Sequence, residues 1–456
     1  MSKLLLFIFL FSRDTIITSL APHPSITPRS SASQKPAAAT AAATITLRIL
    51  NTAAAPLARI TLEWSLETNG SIRRKGKTHI PLLKPNHPTL VRLPLRLPDD
   101  TAGESFLLLR YHSANPSALH PQRTTTYPTR APQPPPSPTF LAEQQLQLTP
   151  YHPTLTIPPA GEMTPSDEND IFTIHSPTIL ISFNRQTGWL VHYEIKGIDL
   201  LDDTSGLRPN FWWPGYNDSA KFYTTESARR RDSTANYTIT IDSGWEAATR
   251  DPHLQLFSNT TSPDQIIIRT EYTLPATASL LHLSYTINAA GEMLITQHVE
   301  PDTTQPPSRP WPMPCFGMQW FLPPGYDSIT AYGPFDSAGI AIFHDHPTTP
   351  STSDLQARAA STHTNIRWWT ITDKEGNGLE FIADTTLVNE SALTTATHPG
   401  SPPQIQINID HSKPPAALHP TPSMPAAPPP IPPMGNLRYT YKVKPLIAST
   451  NSSTHL

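Results

Sequence analysis

Ile45, Leu47 and Ile49 alternate with polar residues. The same period of two returns at Ile60, Leu62, Trp64 and Leu66, at Val91, Leu93, Leu95 and Leu97, and at Phe106 and Leu108, a run that continues to Arg110. An apolar period of two turns one face of an extended chain toward a core, whereas a helix needs a period near 3.6. Turn-forming clusters such as Thr68-Asn69-Gly70-Ser71 separate the runs, which is the pattern of an all-β sandwich. Proline argues the same way. It supplies 54 of 456 residues, about 12% where roughly 5% is usual. An interior proline removes a backbone donor and clashes with the preceding helical turn.

The chain divides into five segments. Residues 1–43 read as a leader, 44–148 as a first sandwich of immunoglobulin-like size, 149–169 as a linker, 170–446 as a second and larger sandwich, and 447–456 as a tail. Within the leader, Lys3 followed by Leu4–Phe11 has the charged-then-apolar order of a secretory signal, and Ser19-Leu20-Ala21 has the small residues of a cleavage site. Arg13 and Asp14 interrupt that pattern, so signal peptide and flexible leader both stay open. Six Asn-x-Ser/Thr sequons, at Asn69, Asn217, Asn236, Asn259, Asn389 and Asn451, fit a secreted chain. A Ser/Thr-rich sequence also makes them by chance. Pro121 to Pro138 is proline-dense and expected to be extended, with Glu143–Leu148 closing the first sandwich. In the second, strands are expected at Tyr237–Ile241, Ile266–Leu274, Leu281–Ile287, Met293–Val299, Ile366–Thr372, Gly378–Ala383, Ile405–Ile409 and Leu437–Val443.

Further motifs run through the second segment. Ile174 to Phe183 reads as a strand, Asn184-Arg185-Gln186-Thr187-Gly188 as a turn, and a second strand passes through Tyr193 and Ile195. Asp199-Leu200-Leu201 follows, then Arg208-Pro209-Asn210-Phe211-Trp212-Trp213-Pro214. Beyond these come Gly317-Met318-Gln319-Trp320 with Leu322-Pro323, Tyr332-Gly333-Pro334, Asn365-Ile366-Arg367-Trp368, Asn377-Gly378-Leu379 and Asn389-Glu390-Ser391-Ala392. Ile407-Asn408-Ile409-Asp410-His411 and Tyr439-Thr440-Tyr441 close the series. In order and spacing it resembles the C-terminal β-sandwich of family 2 glycoside hydrolase β-galactosidases. There the motifs read G-x-x-L-L, P-N-F-W-R-A-P-T-D-N-D, G-M-x-x-x-L-P, Y-G-R-G-P-x-E-N-Y and L-N-I-D. Glu63-Trp64-Ser65-Leu66 resembles a strand of the small β-domain that precedes that sandwich.

The resemblance implies an all-β fold, an Ig-like β-sandwich followed by a large galactose-mutarotase-like β-sandwich. It also implies where the chemistry lies. The family hydrolyses terminal β-galactosides with retention, which takes two carboxylates about 5–5.5 Å apart, and both come from a (β/α)₈ barrel upstream of these domains. Such a barrel takes about 250 residues of alternating strand and helix, and no stretch of this chain has that pattern. No catalytic residue is assigned. Phe11-Ser12-Arg13-Asp14 with Pro22-His23-Pro24-Ser25-Ile26 resembles the family's exit from the barrel. The family's sugar-stacking tryptophan sits on a loop ending G-D-D-S-W. Here Asp410-His411 is followed by Ser412-Lys413-Pro414-Pro415 and a Pro/Ala-rich stretch without tryptophan. Trp213 replaces the usual arginine, Pro214-Gly215-Tyr216-Asn217-Asp218 replaces P-T-D-N-D, and Gly333-Pro334-Phe335-Asp336-Ser337 replaces R-G-P-x-E-N-Y. Loops carry function on a scaffold held by strands, so the scaffold reads as better kept than the site.

The candidate carbohydrate-binding residues are Trp213, Asn217, Asp218, Asp410 and His411. Trp212 and Trp213 suit stacking on a sugar, or plugging the end of the sandwich, which is the simpler reading. Asn217-Asp218 suits a polar site or a turn. Asp410-His411 at a strand end suits acid–base work or a structural role, and no nucleophile stands at readable spacing. The single cysteine, Cys315, excludes a disulfide framework, and no Cys/His spacing marks a zinc site. Neither metal nor other cofactor is expected. A net charge of −3 without a Lys/Arg stripe argues against nucleic acid, and no apolar run reaches the roughly 20 residues of a membrane span. The expected role is a non-catalytic C-terminal region, or a small subunit complementing a separate barrel-bearing β-galactosidase chain, with galactosides as ligands. The alternatives are a stand-alone carbohydrate-binding or structural sandwich, or a relic without activity.

Overall fold

The computed structural model describes residues 16–20, 44–96, 103–114, 139–153, 155–202, 206–212, 244–304, 313, 315–335, 339–347, 363–384, 388–395, 404–412 and 437–448. They form two compact units, Met1–His152 with Asp336–Ile340, and Pro153–Phe335 with Ala341–Leu456. The all-β class expected from the sequence is the class of the structure.

The first unit comprises β1 (Ile16–Leu20), β2 (Thr44–Asn51), β3 (Leu57–Thr68), β4 (Ser71–Leu83), β5 (Pro88–Arg96), β6 (Ser105–Ser113) and β7 (Thr139–Thr149). They make a three-stranded sheet, β1-β2-β5, and a four-stranded sheet, β4-β3-β6-β7, with antiparallel pairing throughout. The alternating residues 45, 47, 49, 60, 62, 64, 66, 91, 93 and 95 are all buried in one cluster between the sheets. In β6 the expected Phe106 and Leu108 are not part of it; Leu107, Leu109 and Tyr111 on the other face are, because both faces of that strand are apolar, and Leu97 lies outside the described residues. Apolar burial of this kind is worth roughly 25 cal/mol per Å². Two strands were not expected. β1 lies inside the segment read as a leader, where Ile16 and Thr18 are fully buried and Thr18 hydrogen-bonds Tyr111. Its alternation is short and follows an apolar run that masks it. β4 carries Arg73, Arg74, Lys75 and Lys77 along an edge and buries only Ile80 and Leu83, so its charges hide its period. Gly76 lies under the indole of Trp64, with no room for a Cβ.

The second unit begins with β8 (Thr164–Glu168), β9 (Ile171–Ser176), β10 (Ile179–Asn184), β11 (Leu190–Ile195) and β12 (Ile198–Asp199), which form one antiparallel sheet in that order. The single strand expected over 174–183 is therefore two, because Pro177 and Thr178 turn the chain between β9 and β10. β13 (Arg208–Asn210) and helix α1 (Trp245–Arg250) follow. Next come β14 (His253–Thr261), β15 (Ile266–Leu274), β16 (Ser279–Ile287) and β17 (Met293–Pro301), then β18 (Phe316–Leu322), β19 (Ser328–Pro334) and β20 (Ile340–Asp345). β21 (His363–Ile366), β22 (Trp368–Thr372), β23 (Gly378–Ala383), β24 (Val388–Thr395), β25 (Gln404–Ser412) and β26 (Leu437–Leu446) complete it. The strand expected at Tyr237–Ile241 lies outside the described residues.

β14-β15-β16-β17-β26-β23-β22-β19-β20 form a nine-stranded sheet, and β13-β18-β25-β24-β21 a second five-stranded one. Both five-stranded sheets pack on the long sheet around one core. Phe183 meets Tyr285 edge-on with centroids 5.1 Å apart, and Trp320 meets Phe381 edge-on at 5.6 Å. Edge-to-face geometry is the arrangement aromatic quadrupoles prefer. No helix among the described residues is long and apolar enough to cross a membrane.

Candidate functional site

Of the sequence-derived candidates, Trp213, Asn217 and Asp218 lie outside the described residues. Asp410 and His411 stand near the end of β25, where β18 and β13 pair in turn. Asp410 is only 3% exposed. Its Oδ1 accepts a hydrogen bond from Asn210 Nδ2 at 2.8 Å, and Asn210 Oδ1 accepts one from Gln319 Nε2 at 2.9 Å. A carboxylate can only accept, which fixes the orientation of the Asn210 amide and hence which atom is left for Gln319. The result is a buried polar chain across three strands, Asp410–Asn210–Gln319.

Backbone chemistry makes room for it. Gly317 stands opposite Asp410 in the register beside an irregularity between Phe316 and Gly317. A Cβ at Gly317 would collide with Asp410 Oδ1 and with the Ile409 carbonyl. Glycine is required here by close approach. Cys315 is buried and directs its Sγ at the Asn210 carbonyl.

His411 is half-buried. Its ring lies nearly parallel to Tyr439, centroids 5.8 Å apart at 11°, and meets the edge of Phe316 at 6.1 Å. Burial pushes the imidazole below its ordinary value of 6.5, and the negative charge of Asp384 opposes that only in part. His411 therefore holds a neutral ring at neutral pH, with Nδ1 shielded from solvent. Tyr439 Oη reaches back to the Ile409 carbonyl at 3.0 Å and ties β26 under β25.

The Arg208–Trp212 stretch reaches this end through β13. Phe211 is fully buried against Trp245 of α1, and its N–H donates to Thr249 Oγ1 at 3.1 Å. Arg250 lies over the Trp212 ring at 5.8 Å. Trp212 thus lies beside α1 at the end of β13. Arg208 is mostly buried, with its guanidinium over Trp189 at 5.0 Å. Burial lowers its pKa, opposed by Tyr272 and Tyr285. Asn210, Gln319 and Arg208 were legible as motif members but not as site residues, because their partners come from strands far away in sequence.

Chemically, the arrangement supplies one buried carboxylate, one neutral imidazole and a fixed amide pair. The carboxylate and the imidazole are neighbours on one strand, and Asp410 is committed to Asn210. This suits positioning of the strand ends. A separate open depression of about 220 Å³ lies on the outer face of the nine-stranded sheet, lined by Arg269, Glu271, His282, Ser284, His298 and Arg438 among others.

A family model described as beta galactosidase small chain matches residues 175–414. A beta-galactosidase of Priestia megaterium is 25% identical over 237 residues, which are 50% of this chain and 20% of that protein. The chain thus spans about a fifth of the length of that relative. Among solved structures, the GH36 alpha-galactosidase AgaB from Geobacillus stearothermophilus superposes with a TM-score of 0.33 at 10% identity, over 62% of this chain and 41% of that one. A galactose mutarotase related enzyme from Lactobacillus acidophilus does so with a TM-score of 0.33 at 8% identity, over 62% of this chain and 98% of its own.

Proposed function

The chain belongs to the beta galactosidase small chain family, and from that premise we propose that it is the non-catalytic C-terminal part of a family 2 β-galactosidase system, complementing a separate barrel-bearing chain. The observation that carries the reading is the family match over 175–414, which falls on the second sandwich and includes Asp410 and His411. The barrel that would hold two catalytic carboxylates takes about 250 residues of alternating strand and helix. Among the described residues the only α-helix has six residues.

The first unit fits the Ig-like domain of this reading. Its seven strands lie as three and four in two antiparallel sheets over a core of alternating residues, as Ig-like sandwiches are built. A galactoside contact is to be sought around Trp213, Asn217, Asp218, Asp410 and His411. Asp410 would act there through Asn210, since its carboxylate is turned inward.

The test is hydrolysis of a chromogenic β-galactoside by the purified chain, alone and mixed with a family 2 barrel chain lacking these domains. Activity in the mixture alone supports the proposal. Activity of the chain alone overturns it, and silence of a folded protein in both favours a binding module or a relic.

A further inference from the structure

The hairpin of β11 and β12 gathers three metal-ligating side chains on one face. Lys196 and Gly197 have φ of 52° and 80°, the left-handed pair of a two-residue hairpin turn that fixes register. That register sets Ile195 opposite Ile198 and Glu194 opposite Asp199. Side chains alternate along a strand. Tyr193 and Ile195 therefore point into the core, with Tyr193 Oη donating to the Gly291 carbonyl at 2.7 Å. His192 and Glu194 point the other way, and Asp199 joins them from across the ladder.

The three donors converge. His192 Nε2 lies 3.7 Å from Glu194 Oε2 and 3.9 Å from Asp199 Oδ1, and one ligand atom from each residue lies within 4.8 Å of the other two. Zinc binds imidazole nitrogen and carboxylate oxygen at about 2.0–2.2 Å, which puts neighbouring donors roughly 3.4 Å apart in a tetrahedron. Rotation of the two partly exposed carboxylate side chains closes the set. The backbone beneath is already held, since the Asp199 carbonyl accepts from Tyr326 Oη at 3.0 Å and Leu200 N–H donates to the Tyr193 carbonyl at 2.8 Å.

Charge supplies the second argument. Like charges directly opposite each other on adjacent strands are destabilising, and Glu194 and Asp199 are such a pair. Among the described residues the one cationic group within ion-pair distance of either carboxylate is the His192 imidazole, which is charged only when protonated. A bound divalent cation relieves the repulsion between the two carboxylates. Side-chain exposures of 21% for His192, 33% for Glu194 and 57% for Asp199 leave the outer side of the site open to water ligands.

We propose that His192, Glu194 and Asp199 form a binding site for a divalent transition-metal ion, zinc in the first instance, that staples β12 to β11. One imidazole with two carboxylates suits such an ion better than magnesium or calcium, which prefer oxygen alone. The outer face of the nine-stranded sheet offers a competing cluster, with His282 and His298 stacked at 5.4 Å. There Glu300 meets His282 through one carboxylate oxygen at 3.4 Å and His298 through the other at 3.8 Å. Its donors do not close on one point, and it serves as the control.

The test is calorimetric titration of metal-stripped full chain with Zn²⁺, with Co²⁺ absorption and thermal midpoint as second readouts. The expected result is saturable binding of a single ion that raises the midpoint. His192→Gln and Asp199→Asn should each weaken it by more than about tenfold, since even partners outside the ligand shell cost that much. Metal-free Asp199→Asn should be at least as stable as the parent, because it removes one of two opposed charges. His282→Gln should bind normally. Absence of saturable binding to the parent, survival of binding in folded Asp199→Asn, or its loss in His282→Gln would each overturn the proposal. Should His192→Gln fail to fold, the more exposed Asp199→Asn decides.

Discussion

Among the described residues, the core cluster of the first unit is mainly aliphatic, with Trp64 and Tyr111 as its rings. The second fills its core with rings, Phe183, Tyr193, Tyr285, Trp320, Phe381, Tyr439 and Tyr441 among them. Leucine and isoleucine ask only for shape, whereas a buried tyrosine or tryptophan also needs a partner for its O–H or N–H. The second unit meets that need across its sheets for Trp320, Tyr439 and Tyr193, while Tyr285 Oη and Trp369 Nε1 are buried without one among the described residues. Trp320 Nε1 donates to Tyr441 Oη at 3.2 Å, Tyr439 Oη to the Ile409 carbonyl at 3.0 Å and Tyr193 Oη to the Gly291 carbonyl at 2.7 Å. The Asp410–Asn210–Gln319 chain lies in the same unit. The difference teaches that the first unit leans more on aliphatic packing, beside buried bonds such as Thr18 to Tyr111 and Asn51 Nδ2 to the Leu83 carbonyl. The second is specified by directional bonds between particular residues, and it is where the family match falls.

The sharpest way to break this contrast is Trp320→Ala. The ring is fully buried and bonded to Tyr441, so urea denaturation should report a loss of about 3–5 kcal/mol. A loss below about 1 kcal/mol would deny that rings organise the second core. Asn210→Ala comes next. It strips a buried carboxylate of a donor and should cost about 2–3 kcal/mol. Tyr111→Phe in the first unit, which removes a neutral bond to Thr18, should cost only about 1 kcal/mol. Equal losses would erase the distinction. Gly317→Ala forces a methyl against Asp410 and should cost about 1–3 kcal/mol as overpacking. Asp410→Gly in the same background should recover part of that, by double-mutant analysis.

The smallest effect concerns acid. The folded His411 imidazole titrates below its ordinary value of 6.5 because it is buried. Below that pH the unfolded chain binds the proton more readily, so stability is lost as pH falls from 6.5 toward the folded value. His411→Phe keeps a ring against Tyr439 and should flatten this part of the stability–pH profile. An unchanged slope would place the titration in another group.

Much of this architecture can be read in the residues, and the limits have physical causes. Strands buried on one face announce themselves, so β15 and β23 occupy the residues that alternation indicates, 266–274 and 378–383. β4 does not, because an edge strand laden with Arg73, Arg74 and Lys75 shows no apolar face over most of its length. The turn at Pro177 and Thr178 is hidden because the apolar period continues on both sides of it. Asp410 was legible as a polar residue at a strand end. Its partner Asn210 was not, since 200 residues separate them and only the order β13-β18-β25 brings them together. The His192–Glu194–Asp199 set depends likewise on the register of one tight turn. Local pattern gives elements, and pairing between distant strands gives sites.

The most direct measurement is a titration of a family 2 barrel chain lacking its C-terminal domains with this chain, followed by the rate of chromogenic β-galactoside hydrolysis. The account predicts that this chain alone is silent and that the rate rises and saturates at a fixed ratio of the two chains. Hydrolysis by this chain alone, or a rate that never responds to it, would contradict the account.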